Sequence, residues 1–579
     1  MTGHSPLNIV LYRMRKPFLV LIITFSISMI GLLLIDGVDK NGDIYRMSIF
    51  DAFYFVTYTA TTIGFGESPF EFTYSQRLWV SFTVYLTVLG WFYSIGTLIS
   101  ILQDKVFLLE LSRGKFKRHV ASLSEKYIIV LGYNHTTNEI IKRILAEGYR
   151  VIVIEKDEKK ANELHFEGHT PYVPVLVADA FNSQVFLDAG IESRYCKAVV
   201  SVFADANLNL RVALAAKLLN KNVILAVKAT TQHDTDNLMH IDVNIIKNPF
   251  KIVSSHMELA IKAPNLLKLE RWLHGQGGLN LPITEFPKGK YIICGYGRFG
   301  KYMYDMLKKN KMDVTFIEIK DTQVPNMSTS SGHPLSYGAK EYHTKEFMIN
   351  DADDKDNLIK AGIKEASVLL AGTDNDTVNL SIIATSKKLN PNLITIAREN
   401  EMDDFSIFHN AKIDYIFIPA NTLINNISNA LINPLIDKLV NQIFHQDDEW
   451  GQHLVVELIK QIGANPLVHN LTINEPEAPE IITTLENKRI VTLELFHKSL
   501  RNHTLNNNVI PLLLLRDKEY TLLPKWDIEL KEDDKILFAC DENAKDDIEY
   551  IAQNGFEFHY AYTGIEKTRR TMLKKNKDI

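Results

Sequence analysis

Two stretches without a single charged side chain, residues 17–35 and 78–102, limit what this chain can fold into more than any other feature. As helices rising 1.5 Å per residue, such stretches reach across about 30 Å of hydrocarbon. A secretory leader is the alternative for the first, because Arg13, Arg15 and Lys16 precede it. Its length exceeds the apolar part of a leader, and Asp36-Gly37-Val38-Asp39 offers no small-x-small cleavage site. Basic residues lie before the first stretch and after the second (Lys105, Arg113, Lys115, Lys117, Arg118), whereas Asp36, Asp39, Asp43, Asp51, Glu67 and Glu71 lie between them. The positive-inside rule therefore places both termini in the cytoplasm.

The segment between the spans ends in residues 48–61, SIFDAFYFVTYTAT, too short to cross and suited to a re-entrant helix, followed by Thr62-Ile63-Gly64-Phe65-Gly66-Glu67. Non-helical backbone at membrane depth is tolerated where it lines a wet cavity, and glycines open the backbone conformations that turn carbonyls inward. Rings of such carbonyls, with the Thr62 hydroxyl below, replace the water around a dehydrating cation. A helix ending at Thr61 aims its negative end at that cation. Helix, re-entrant helix, TTIGFGE and helix together resemble the two-transmembrane potassium channels, whose filter reads T-V-G-Y-G-D. The resemblance implies K⁺ as permeant ion, Thr62 to Gly66 as filter and a cell (inner) membrane location. Ile63, Phe65 and Glu67 depart from the pattern, and Phe65 lacks the phenolic hydroxyl that braces the filter from behind. One filter segment per chain implies a homotetramer, since the carbonyl ring needs four. Gly90 stands where the family has its gating hinge; close helix packing explains Gly90, and Gly96, equally well.

The rest of the chain repeats itself. The apolar run Tyr127-Ile128-Ile129-Val130-Leu131 enters Gly132-Tyr133-Asn134 and an amphipathic stretch. Tyr291-Ile292-Ile293-Cys294 does the same into Gly295-Tyr296-Gly297-Arg298-Phe299-Gly300. VADAFNSQVFLDAGI (Asp179, Gly190) matches INDADDKDNLIKAGI (Asp351, Gly362) at a separation of 172 positions, and Asn209-Leu210 matches Asn379-Leu380. Strand alternating with helix implies a parallel sheet covered on both faces, here twice. Order and motifs resemble the RCK (TrkA-N) domains that regulate potassium conductance. Two domains per chain in a tetramer imply a gating ring of eight. No methionine lies between Met47 and Met239, so the first domain is not expected as a separate internally started product.

In the second copy, Gly295 permits a tight turn, Gly297 the approach of a pyrophosphate and Gly300 close helix packing. Glu318 ends the next strand, placed to accept from a ribose diol, which favours NAD or an adenine nucleotide over NADP. The resemblance adds Asp351 as the adenine-side acid, the Thr373-Asp374-Asn375 loop and Arg398 as a phosphate partner, with Tyr296, Arg298 and Phe299 completing the turn. The regulatory ligand is accordingly expected to be NAD, ADP or ATP. Asn350 departs from the family's glycine. The first copy keeps Gly132, Glu155 and Asp179, which leaves adenosine a second candidate site in another pose, but Asn134 at the second glycine position puts a side chain where a pyrophosphate would lie; this copy is expected to act chiefly as a scaffold coupling to the pore, or to bind something smaller.

Ca²⁺ is a second candidate ligand, since residues 351–356 and 447–449 are rich in hard oxygen donors, although neither has EF-hand spacing. Cys196, Cys294 and Cys540 are too scattered for disulfides or zinc. A net charge of -5 excludes a global basic field for nucleic acid. From about residue 446 the pattern turns to short strands (454–458, 490–496, 535–539) and resembles the TrkA-C lobe, with a basic tail after 565. The expected plan is multidomain: N-terminus 1–16, all-α two-helix pore module 17–103, linker 104–125, α/β Rossmann-like RCK domains 126–285 and 286–445, and an α+β lobe 446–565. A membrane-anchored NAD-dependent oxidoreductase would need an acid or base placed beside the nicotinamide, which the sequence does not offer. A nonselective cation pore is the other alternative.

Overall fold

The computed structural model describes residues 6–283, 286–319, 346–400, 405–503 and 505–566. The uncharged stretches form α1 (Pro6–Leu34) and α3 (Tyr74–Leu102), with α2 (Ile49–Ala60) between them. Helix α1 starts well before the expected residue 17; Pro17 sits inside it, and its carbonyl accepts a 3.1 Å bond from Ser94 Oγ of α3. The two helices run antiparallel: Trp79 Nε1 donates to the Ser28 carbonyl at 3.1 Å, and a Cβ added at Gly90 would meet Thr24 Oγ1 at 2.8 Å. Gly90 thus permits close approach of α1 and α3. Only 22% of the most apolar window in each long helix is buried, leaving broad apolar faces for lipid or further copies of the chain.

The segment expected as a plain linker is a helix, α4 (Lys105–Ala121). Asp104 caps it, accepting from the Val106 and Phe107 N–H groups, and also pairs with Arg13 of α1. Farther along, Phe116 and Val120 enter the core of the first α/β unit, and Arg113 and Lys117 pair with the buried Asp188 carboxylate. The helix is therefore part of the first α/β unit, and the break in the chain falls at Gln103 and Asp104.

Both repeats are six-stranded parallel sheets. The first contains β1 (Tyr127–Leu131), β2 (Arg150–Glu155), β3 (Val175–Val177), β4 (Cys196–Ser201), β5 (Ile224–Lys228) and β6 (Ile245–Lys247), in the order β3-β2-β1-β4-β5-β6. The second has β7 (Lys290–Cys294), β8 (Asp313–Glu318), β9 (Phe347–Ile349), β10 (Val368–Ala371), β11 (Ile394–Arg398) and β12 (Tyr415–Phe417), ordered β9-β8-β7-β10-β11-β12. The strand order reverses beside β1 and β7, so each sheet has a crevice at the carboxyl ends of those strands. Helices α5 (His135–Ala146) and α6 (Arg298–Lys309) leave from these points.

After its sixth strand each copy gives its terminal helix to the other. Helix α7 (Pro249–Lys262) packs Phe250, Val253 and Met257 against Phe299, Met303 and Leu307 of the second copy. Its counterpart α8 (Pro419–Ile432) packs Leu423, Ile424, Ile427 and Leu431 against Ile140, Ile141 and Ile144 of the first. Helices α9 (Pro264–Leu273) and α10 (Pro434–Ile443) follow and share a core with α11 (Asp448–Gln461).

The C-terminal lobe is an antiparallel sheet of β13 (Leu467–Thr472), β14 (Val509–Arg516), β15 (Glu519–Leu522) and β16 (Lys535–Cys540), ordered β13-β16-β14-β15 and flanked by helices. Two expected strands are corrected. Residues 454–458 lie within α11, where Gly451, Leu454, Val455 and Leu458 are buried at helical spacing. Within 490–496 the chain turns into a 3-10 helix, Leu493–His497, with one bridge from Thr492 to Glu529. Short apolar runs do not by themselves distinguish strand from buried helix. The basic tail from 567 lies outside the described residues.

Candidate functional sites

Helix α2 opens on Ser48, whose hydroxyl accepts from the Asp51 N–H, and closes at Thr61. Its last turn holds the start of the glycine-rich segment: the Tyr58 carbonyl accepts from Ile63 N at 3.0 Å and Gly64 N at 3.2 Å. Beyond it the backbone alternates, with φ of 61° at Thr62, 64° at Gly64 and 72° at Gly66. Such alternation turns successive carbonyls of the extended chain toward one side, as a carbonyl-lined path requires. Gly64 and Gly66 adopt these angles freely, whereas the β-branched Thr62 is strained by roughly 1–3 kcal/mol.

The expected loss of a brace at Phe65 is offset from the opposite wall. Tyr54 Oη donates to the Glu67 carboxylate at 3.0 Å, Tyr58 Oη donates to the Glu67 carbonyl at 2.6 Å, and the Phe65 ring meets the Tyr58 ring edge-on at 6.1 Å. The hydroxyl donors sit on α2.

In the second α/β unit a cavity of about 430 Å³ opens at the reversal point, lined by Gly295, Gly297, Glu318, Asp351, Thr373, Asp374 and Asn375. Gly295 has φ 97° and lies against the Gly372–Thr373 backbone; a Cβ on Gly300 would lie 2.1 Å from the Gly295 carbonyl oxygen. Above Gly297 a Cβ would meet nothing within 4 Å, and no side chain caps α6. An uncapped first turn presents N–H groups and positive dipole to that space. Glu318 accepts from Tyr296 N at 2.5 Å and Ile319 N at 2.9 Å. Asn379 ties the Thr373 loop to the end of β11, bonding Thr373 N at 2.9 Å and the Arg398 carbonyl at 2.9 Å.

The remaining expected residues lie elsewhere. Tyr296 and Phe299 are core side chains packed on Phe316 and Phe417. Arg298 and Arg398 point toward the Phe250 ring of the exchanged helix, and Arg398 pairs with Asp374 at 2.6 Å. Arg398 is therefore not on the cavity wall. Burial pulls its pKa down, against the opposing influence of Asp374. Sequence reading did not pick out Ile319, Asp353 or Gly372 as lining residues. The repeated Asn209 and Asn379 were the available signal for the loop's support.

The first crevice is occupied by its own side chains. Asn134 caps α5, accepting from Thr137 N at 3.0 Å while Thr137 Oγ1 accepts from Asn134 N at 2.8 Å. Phe203, at the place of Thr373, lies over Gly132, where a Cβ would be 2.7 Å from its ring. Glu155 accepts from Tyr133 N at 2.5 Å, and Lys156 pairs with Asp179 at 2.8 Å, holding that carboxyl below its ordinary range. The two copies share a backbone plan, but only the second leaves its helix terminus open.

Neither acidic cluster is free. Asp354 caps the helix Lys355–Lys360, Asp447 caps α11, and Asp448 bonds Asn265 N at 2.7 Å. Among the described residues no group of three or more His, Cys, Asp or Glu is arranged to hold a metal ion.

Residues 17–104 match the ion channel family model, and residues 128–249 and 291–419 each match the TrkA-N domain. The chain is 33% identical over 109 residues to "Potassium channel protein 1" of Methanocaldococcus jannaschii, covering 19% of this chain and 29% of that one. It is 29% identical over 141 residues to a "Trk system potassium uptake protein TrkA homolog" of Pyrococcus horikoshii, covering 24% and 57% respectively. This chain thus spans less than two thirds of either relative. Among solved structures, "GsuK Channel" aligns over 97% of this chain and 100% of its own at 14% identity and TM-score 0.44. "GsuK channel bound to NAD" aligns over 94% and 99% at 14% identity and TM-score 0.43.

Proposed function

From a chain that joins a two-transmembrane ion-channel module to two TrkA-N (RCK) domains, the plan of the RCK-regulated potassium channels, we propose a potassium-selective channel gated by a nucleotide in the second crevice. The conducting unit is a homotetramer, with both termini cytoplasmic and eight RCK domains in one ring. The alternating backbone at Thr62, Gly64 and Gly66, seated on the carboxyl end of α2, carries the conduction reading. The contrast between the open terminus at Gly297 and the capped one at Asn134 supports regulation through the second copy, with the first as scaffold.

In this reading, the α6 N-terminus receives a pyrophosphate, Glu318 a ribose diol and Asp351 the adenine side, as in NAD, ADP or ATP. A nucleotide favouring one arrangement of the ring shifts the pore equilibrium by at most its difference in affinity for the two. Helix α4, integral to the first copy, carries that arrangement to the end of α3.

Single-channel recording in liposomes, with NAD, ADP, ATP and Ca²⁺ applied in turn to the cytoplasmic face, tests the proposal. A K⁺ gradient against Na⁺ should give a reversal potential near that of K⁺; one near zero refutes selectivity. Gly297→Asp should abolish the nucleotide response while conduction persists. An unchanged response removes the second crevice from the mechanism, and a response to Ca²⁺ alone assigns regulation to the cation.

A further inference from the structure

The two copies provide an internal comparison at the joint where their exchanged helices meet. Repeat equivalence at a separation of 170 positions pairs Pro249 with Pro419 and Pro264 with Pro434, and so α7 with α8 and α9 with α10. By the same offset Glu270 answers to Val440, His274 to Phe444 and His256 to Asn426. All six residues line one cavity of about 290 Å³ beside β6. One backbone plan is thus built here with a valine and a phenylalanine in one copy, and with a carboxylate and an imidazole in the other. The fold itself does not call for a buried charge at these positions.

That charge is only half used. Glu270 is 1% exposed; His256 Nε2 at 3.0 Å and His274 Nδ1 at 2.9 Å both meet its Oε1, while Oε2 has no hydrogen-bond partner among the described residues. Burial raises the pKa of this carboxyl, but the two imidazoles outweigh burial, so the group is ionised at neutral pH. A carboxylate oxygen taken out of water and left without a partner is costly, whereas apolar residues in the same place are not. The other charges on the wall are engaged elsewhere: Lys247 pairs with Asp437, and the exposed Lys251 reaches Gln232 Oε1 at 3.3 Å.

A metal ion needs several ligands converging on one point, and among the described residues no three His, Cys, Asp or Glu side chains do so. An ammonium group needs one good acceptor, and the cavity has room for its carbon body against an apolar side formed by Ile252, Val440 and Phe444. Small-molecule sites have this make-up, apolar surface with a few placed polar groups. We propose that this cavity is a ligand site, separate from the nucleotide crevice, for a small primary ammonium compound: its ammonium donates to Glu270 Oε2 and its short alkyl body lies against Val440 and Phe444. Glu270 is on α9 and Val440 on α10, so the occupant bridges the exchanged helices of both copies. Binding stands independently of the channel reading.

Isothermal titration of the full chain in lipid nanodiscs at neutral pH tests the site, with n-butylammonium as the probe and 1-butanol and butyrate as its neutral and anionic counterparts. Saturable binding of the ammonium alone is expected, weakened about tenfold or more in Glu270→Gln, which keeps the shape and removes the charge. It should be lost in Ser255→Phe, which fills the cavity from α7. Thermal unfolding of the same samples without probe reports folding separately. If Glu270→Gln fails to fold, Ser255→Phe and the probe series still decide. Equal binding of all three probes, undiminished binding to the variants, or no saturable binding overturns the proposal. Displacement of the probe by an equal concentration of K⁺ would assign the oxygen to an inorganic cation and overturn it as well.

Discussion

Tyr58 Oη donates a 2.6 Å hydrogen bond to the main-chain carbonyl of Glu67, joining the last turn of the re-entrant helix to the outer end of the glycine-rich segment. A side-chain donor on a carbonyl at that point fixes the direction in which the carbonyl faces. The stiff element is the helix, so the loop takes its shape from α2.

Removing that hydroxyl while keeping the ring isolates its contribution. Tyr58→Phe should conduct with unchanged selectivity but shorten the open lifetime about fivefold, the equivalent of about 1 kcal/mol for one hydrogen bond. The more exposed Tyr54→Phe should have less effect. Recordings in symmetrical K⁺ measure both, and an unchanged lifetime in Tyr58→Phe would remove the brace.

The three glycines of the second turn should separate by role. Gly300→Ala places a methyl 2.1 Å from the Gly295 carbonyl oxygen, so it should lower the thermal midpoint of the cytoplasmic portion. Gly297→Ala meets open space, so the midpoint should hold while ADP affinity falls about tenfold. Calorimetry with and without ADP distinguishes them; equal destabilisation by both would show that Gly297 too is a packing glycine.

Glu270 is fully buried between His256, at 3.0 Å, and His274, at 2.9 Å. Burial pushes its pKa upward, but the two imidazoles outweigh it and the net direction is downward. A carboxyl depressed in the folded state stabilises fully above its unfolded pKa of about 4.3 and loses that contribution as pH falls through the lower folded value. Glu270→Gln should therefore cost about 3 kcal/mol at neutral pH, with the gap from wild type closing only in strong acid. Urea unfolding across pH measures it; a constant gap down to the lowest accessible pH would contradict the linkage.

Asp188 holds α4 to the first copy through Arg113 and Lys117. Asp188→Asn should leave selectivity intact and weaken the coupling of nucleotide to opening, with a stability cost of about 2 kcal/mol because both cations remain partly exposed. Ligand dose–response in recordings, beside ADP affinity by titration, reads coupling and binding apart. A full response would place the mechanical link elsewhere.

Much of this was legible because it is local. The segment Thr62–Gly66 shows as glycines alternating with larger residues, and the strand-to-turn-to-helix passages at Gly132 and Gly295 show as apolar runs broken by glycine. The decay of the first crevice was visible at Asn134, though its cause, a side chain capping the helix, required the structure. Arg398 was misplaced because sequence gives its strand position but not the direction of a long side chain, which turns to Phe250 and Asp374. Residues 454–458 were misread because five apolar-rich positions fit a strand and a buried helix alike.

The sequence by itself determined that the chain has two apolar spans, a carbonyl-forming segment between them and two copies of one α/β unit, since charge, glycine placement and periodicity act over neighbouring residues. Only the tertiary structure decided which sheet each terminal helix covers and that α4 belongs to the first copy. The apolar stripes of α7 and α8 suit either sheet, so their exchange depends on surfaces distant in the chain: Phe250 packs with Phe299, and Ile427 with Ile140. That separation lies beyond any local pattern.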